Sequence, residues 1–127
     1  MKLSSYQADG TNRYGIMTVD GIIDLSGRIG RDYPTLVSLI RGQAIAVARD
    51  AATDASPDFG FDSVKFLPLT DEPVNIFCVG VNYMDHRAET GRTGDQFPSA
   101  FAKFQESLVG HNEPLVRPRG QVSMDFQ

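Results

Sequence analysis

Five of the chain's seven prolines fall between residues 68 and 118. Proline donates no backbone hydrogen bond and is poorly tolerated inside helices and inner strands. That stretch therefore reads as short strands and long loops, with one helical turn. Before it lie only Pro34 and Pro57, among strand and helix signals. The composition shift predicts a boundary near residue 70. An α/β unit is expected over residues 1–69 and the beginning of a mostly β part over 70–127, an α+β chain.

The first part has local signals of its own. "ADGTN" punctuates a pair of strands, and Asp20-Gly21 in "VDGIIDL" suits a type I′ hairpin turn. "DYPTLVSLIRG" predicts a short helix with Pro34 and Thr35 in its first turn and Leu36, Leu39 and Ile40 on one face. Gly42 is expected to end it in the left-handed conformation. "QAIAVARDAA" predicts a second, alanine-rich helical piece whose larger apolar residues are Ile45 and Val47. Residues 53–62 have a loop composition, and "VKFLPL" predicts a strand.

In the second part, "IFCV" (76–79) suits a buried strand, and "SAFAKF" and "EPLVRP" are strand-like. The last residues, "SMDFQ", read as the start of another strand. Two or three short strands are marginal by themselves. Either a partner chain completes them or the chain is a fragment.

Basic residues are scattered and the formal net charge is −4, so no nucleic-acid or membrane footprint is visible. Cys78 is the only cysteine, which excludes an internal disulfide. The N-terminus lacks an apolar signal core, and no apolar run approaches membrane-spanning length. The expectation is a soluble, cytoplasmic protein.

Chemistry-bearing residues cluster after the apolar strand. "NYMDHRAETG" suits a loop and one helical turn that Asp85 caps and Gly91 ends. His86 and Glu89 are three apart and would share a face. A carboxylate bonded to one imidazole nitrogen raises the basicity of the other, which then takes a proton from water. The plainer alternative is a solvated turn with an incidental ion pair. His111 reads as a surface loop residue. Two histidines without Cys-x-x-Cys or His-x-x-x-His argue against zinc. Carboxylates could still hold magnesium or manganese. "GRIGR" lacks the setting of a phosphate loop, and no Gly-x-Ser-x-Gly elbow occurs.

"NIFCVGVNYMDHRAETGR", followed by "FAKFQESLVGHNEPLVRP", resembles the fumarylacetoacetate hydrolase family. That family carries a Cys-Val-Gly-x-Asn-Tyr-x-Asp-His stretch, a Phe-x-Lys or Phe-x-Arg strand, and a Ser-x-Val-Gly segment. "YGIMTVDGIIDLS" and "YPTLVSLI" resemble its small N-terminal domain, so the resemblance covers nearly the whole chain. It implies that the second part begins a catalytic β-roll. It also implies hydrolysis of a carbon–carbon bond in a diketo acid of the acylpyruvate or fumarylacetoacetate type. Decarboxylation and isomerisation of keto acids are sister activities.

Residue by residue, the resemblance places His86 and Glu89 on the pair that activates water. Asn82 and Tyr83 fall in the loop that shapes the pocket floor. Lys103 falls on a basic position that meets a substrate carboxylate or oxyanion, its alternative being a solvent-facing strand lysine. Asp85 caps the turn and, in some branches, an aspartate of this region approaches the metal. A divalent cation (magnesium, manganese or calcium) is implied, held by a Glu-x-Glu pair and a later aspartate. Here the first of those glutamates is replaced by Gln127, which keeps an oxygen but not the charge a hard cation prefers. The remaining ligands lie beyond the pattern present. The chain alone is therefore expected to be a poor hydrolase, truncated after the start of the catalytic domain, and to self-associate as a homodimer or larger. The competing expectation is a non-catalytic module acting in binding or assembly.

Overall fold

The computed structural model describes residues 1–70, 75–80, 83 and 99–120. Strands β1 (Lys2–Ala8) and β2 (Thr11–Met17) pair antiparallel from Lys2↔Met17 to Ala8↔Thr11. Only Asp9 and Gly10 separate them, with φ of 50° and 73°. Two successive positive φ angles make this a type I′ turn, whose twist matches that of the strands it joins. Strand β3 (Ile22–Asp24) extends the sheet beside β2.

The hairpin expected at Asp20-Gly21 is present, but its turn is not the two-residue I′ form. Four residues make it. Thr18 N donates to Gly21 O at 2.8 Å, and Thr18 Oγ1 accepts from the amides of Asp20 and Gly21. Gly21 is required for another reason: a Cβ there would stand 2.5 Å from Phe59 O, and its φ is +152°.

After β3 come helices α1 (Ser26–Ile29), α2 (Leu36–Arg41) and α3 (Ile45–Ala51). Helix α2 begins two residues later than expected. Thr35 is its N-cap and forms a reciprocal capping box with Ser38. Gly42 has φ −74°, so it does not take the expected left-handed conformation; Gln43 does, at φ 52°. Ala44 N donates to Leu39 O and Gln43 N to Ile40 O, the two bonds of a Schellman ending. Gly42 instead provides room, since a Cβ would meet Tyr33 Cε1 at 2.9 Å. Helix α3 packs through its alanines: Ala44 and Ala48 are buried while Val47 is exposed.

Strand β4 (Lys65–Phe66) pairs with β1, giving a four-stranded antiparallel sheet of order β3-β2-β1-β4. The first core cluster joins Tyr14, Ile16, Ile23 and Leu25 of the sheet region to Leu36, Leu39, Ala44 and Ala48 of the helices. The second joins Tyr6, Ala8 and Ile22 to the partly buried Phe59, Phe61, Val64 and Phe66. So the segment read as a plain loop supplies two aromatic side chains to the core.

Strands β5 (Ile76–Gly80) and β6 (Ser99–Lys103) form a separate antiparallel ribbon. The architecture is α+β. Two compact units are present: Met1–Asp71 with Val109–Gln127, and Glu72–Leu108. The second begins near the boundary read at residue 70, whereas Val109–Gln127 groups with the first. Residues 113–118, read as strand-like, form none. Pro114 and Pro118 remove the amide donors at both ends of that run.

Two tyrosines tie this fold to pH. Burial pushes the Tyr14 phenol up to about 12, helped by the charge of Asp24. Burial, then the charge and hydrogen bond of Asp24, raise Tyr6 beyond the ordinary tyrosine range. Both folded-state values lie above the unfolded value of 10.0, so this contribution is complete below pH 10 and is lost as pH rises through 12. Asp58 behaves oppositely. Its hydrogen bond from Arg28 holds the carboxyl below its ordinary 3.8, so its contribution is present above that pH and lost on acidification. The expected urea midpoint is flat from about pH 6 to 9, falls above 10, and falls again below 4. Tyr14→Phe is expected to shallow the alkaline limb; an unchanged limb would remove Tyr14 as its cause.

Candidate active site

Ribbon β5–β6 is built on alternation. The pairs Ile76↔Lys103, Cys78↔Phe101 and Gly80↔Ser99 place those six residues on one face. The pairs Phe77↔Ala102 and Val79↔Ala100 lie on the other. The first face carries the half-buried Ile76, Cys78, Gly80 and Lys103. On the second, Phe77 is 75% exposed and Val79 55%. The strand expected to be buried is therefore half-covered on one side and open on the other. A two-stranded ribbon has no third layer to cover both faces. Cys78, expected to be buried, is half-buried.

Phe101 lies over Gly80: its ring carbon Cε1 is 3.4 Å from where a Cβ would stand. An aromatic ring on a strand glycine restores the contact area the missing side chain gives up. After Lys103, Phe104 O accepts from Ser107 N and Ser107 Oγ at 3.0 and 2.7 Å, closing the turn Gln105–Ser107.

Lys103 and Tyr83 are described: Lys103 is half-buried at the end of β6, and Tyr83 is 79% exposed beyond β5. His86, Glu89, Asn82, Asp85 and Gln127 lie outside the described residues. The pairing expected of His86 and Glu89 lies there too. Among the described residues no group of three or more His, Cys, Asp or Glu side chains could hold a metal ion. The positions expected to hold the divalent cation lie outside the described residues, and no step below is routed through one.

Elsewhere the described residues offer two features. The first is a cavity of about 440 Å³ in the first unit, lined by Met17, Phe61, Phe66 and His111. The second is a polar network centred on Asp24, which is 5% exposed. Its carboxylate accepts from Tyr6 OH (3.0 Å), Arg13 Nη1 (2.8 Å), Ser26 N (3.1 Å) and Gly27 N (3.2 Å). Arg28 donates to Asp24 O and bridges to Asp58, whose carboxylate accepts from Asp24 N at 2.7 Å. Arg13 also stands 5.6 Å from the Phe59 ring centroid. All four acceptor bonds of the carboxylate are internal, so the network pins β3 to α1 and leaves little for a ligand. Its signal was present in the sequence as Asp-Leu-Ser-Gly, an aspartate just ahead of a helix start.

No helix of the described residues is long and apolar enough to cross a membrane. The family model for the C-terminal domain of fumarylacetoacetate hydrolase matches residues 75–127. The chain is 31% identical to the mitochondrial oxaloacetate tautomerase Fahd2a of Rattus norvegicus, over 84% of this chain and 35% of that protein. It is 33% identical to a Burkholderia ambifaria protein with a provisional hydrolase name, over 100% of this chain and 44% of that one. To the human mitochondrial oxaloacetate tautomerase FAHD2B it is 33% identical, over 70% of this chain and 29% of that protein. The chain thus spans less than half the length of the relatives it matches. With both the C-terminal domain and these relatives in agreement, the chain belongs to the fumarylacetoacetate hydrolase family.

Proposed function

We propose that this chain contributes to an enzyme site for 2-keto acids, with hydrolysis of an acylpyruvate-type diketo acid as its reaction. The match of residues 75–127 to the family carries this reading. His86, held by Glu89, takes a proton from water, and the resulting hydroxide adds to the carbonyl remote from the carboxylate. The carbon–carbon bond then breaks, its electron pair goes to the departing enolate, and the imidazolium returns the proton. Products are a carboxylate and a 2-keto acid. Lys103, Asn82 and Tyr83 would bind the substrate's oxygens. The catalytic β-roll and the divalent cation belong to this reading, with Gln127 at the position of one expected ligand.

A second reading has a specific observation in its favour: two of the relatives are named oxaloacetate tautomerases. Keto–enol exchange needs only the proton transfers and no attacking water. Both reactions pass through an enol or enolate of a 2-keto acid, so one assay pair separates them. Acylpyruvate loss and oxaloacetate enol decay would be followed by ultraviolet absorbance, with and without added magnesium or manganese. Turnover of acylpyruvate supports the first reading and of oxaloacetate alone the second. Turnover of neither, by this chain and by a form as long as the relatives, would overturn both and leave the non-catalytic module. Self-association and a cytoplasmic setting complete the proposal. Among the described residues each of β5 and β6 has one strand neighbour, so each has an unpaired edge that invites pairing. A monomer by light scattering would remove that part.

A further inference from the structure

Among the described residues from 75 onward, Gly110 alone is buried. It lies in "LVGHNEP", where the chain rejoins the first unit. A Cβ on Gly110 would stand 2.1 Å from Phe66 O, 3.0 Å from Phe66 C and 3.3 Å from Leu67 Cα. These are backbone atoms, and they are pinned: Phe66 pairs with Tyr6, and Leu67 N donates to Ser5 O at 3.0 Å. They have little freedom to give way. The φ of Gly110 is not in the left-handed region. Glycine stands here for close approach alone.

Two further contacts flank it. The His111 ring meets the Phe66 ring edge-on with centroids 6.1 Å apart. Glu113 Oε1 lies 3.1 Å from Lys65 Nζ. Between them Glu113 N donates to Gly110 O and Asn112 adopts φ 63°, which folds residues 110–113 into a turn. Each residue of β4 therefore has a partner in this turn, and Gly110 fits against the backbone that follows.

Strand β4 is also the last element of the first unit before the chain departs into Glu72–Leu108. Departure and return thus meet at one place. We propose that residues 110–113 are a clasp on β4 that holds both ends of the 72–108 segment. A segment tethered at both ends samples far fewer arrangements than one tethered once.

The test is hydrogen exchange on the full chain, read peptide by peptide by mass spectrometry. In Gly110→Val the expected result is exchange at least about tenfold faster at 65–67 and 105–113, while residues 11–17 and 36–51, which do not pair with β4, keep their protection. The milder pair His111→Ala with Glu113→Gln is expected to speed exchange about threefold or more at 109–113. Val109→Ala, at an exposed neighbour, is expected to change nothing. Unchanged exchange in both variants would overturn the clasp. So would protection lost evenly across the chain, or a Gly110→Val chain that does not fold, since either makes Gly110 a core residue.

Discussion

Replacing Asp24 by alanine is expected to destabilise the chain by about 3–5 kcal/mol. The carboxylate is buried and accepts four hydrogen bonds, one from Arg13. Its removal leaves a partly buried guanidinium without its counter-charge and two amides at the start of α1 without acceptors. Each orphaned neutral donor costs roughly 1–3 kcal/mol, but water reaching the vacated space recovers part of this. Arg13 is 27% exposed in its side chain and keeps its place over Phe59, which limits the loss further. Domains of this size are stable by about 5–15 kcal/mol, so a substantial share is at stake. Asp24→Asn keeps an acceptor and should cost less. The double change Asp24→Leu with Arg13→Met should cost less than Asp24→Ala, because it removes both charges together. Urea unfolding measures all three, and a cost under about 1 kcal/mol for Asp24→Ala would refute the central role of the carboxylate.

The second large effect concerns the proposed reaction. In a form of the protein that turns over keto acid, His86→Ala is expected to lower kcat by about 10²–10⁴-fold, the usual contribution of a positioned base. KM should change little, since the imidazole acts on water rather than on the substrate's carboxylate. Glu89→Gln keeps the shape and a neutral oxygen but loses the charge that supports the imidazolium. It should cost less and shift the acidic limb of the pH–rate profile downward. Lys103→Met should act in the other direction, raising KM with kcat nearly constant, because it removes ground-state binding of a carboxylate. Turnover that survives His86→Ala within a factor of three would remove its role as base.

The strongest local signals were legible and the packing reasons behind them were not. Two Asp-Gly pairs occur in the first part, and only Asp9-Gly10 makes the two-residue turn. Thr18 offers a hydroxyl that gathers the amides of Asp20 and Gly21, a side-chain competition that a dipeptide rule does not contain. Gly42 read as punctuation and Gly110 carried no reading of its own, yet each stands where a neighbouring ring or backbone leaves no room for a Cβ. Such approaches depend on residues distant in sequence. Phe59 and Phe61 were hidden by the polar residues around them. For the candidate site, the two strands that carry Lys103 and its neighbours were readable as apolar or strand-like runs, but not their pairing with each other. The open face of the ribbon was not readable either, because exposure depends on what a ribbon lacks rather than on what it contains.

The central place of β1 in the sheet has a consequence for synthesis on the ribosome. Its pairing with β2 is local and closes through a turn that forms in about 1–10 μs. Its other edge waits for Lys65 and Phe66. At about 5–20 residues per second, that edge stays open for several seconds after the hairpin has formed. During that interval the nascent chain presents an unpaired inner strand bearing Tyr6 and Ala8, two residues destined for the core. Slowed translation between residues 18 and 64 should therefore raise the fraction captured by strand-binding chaperones, while slowing after residue 70 should not.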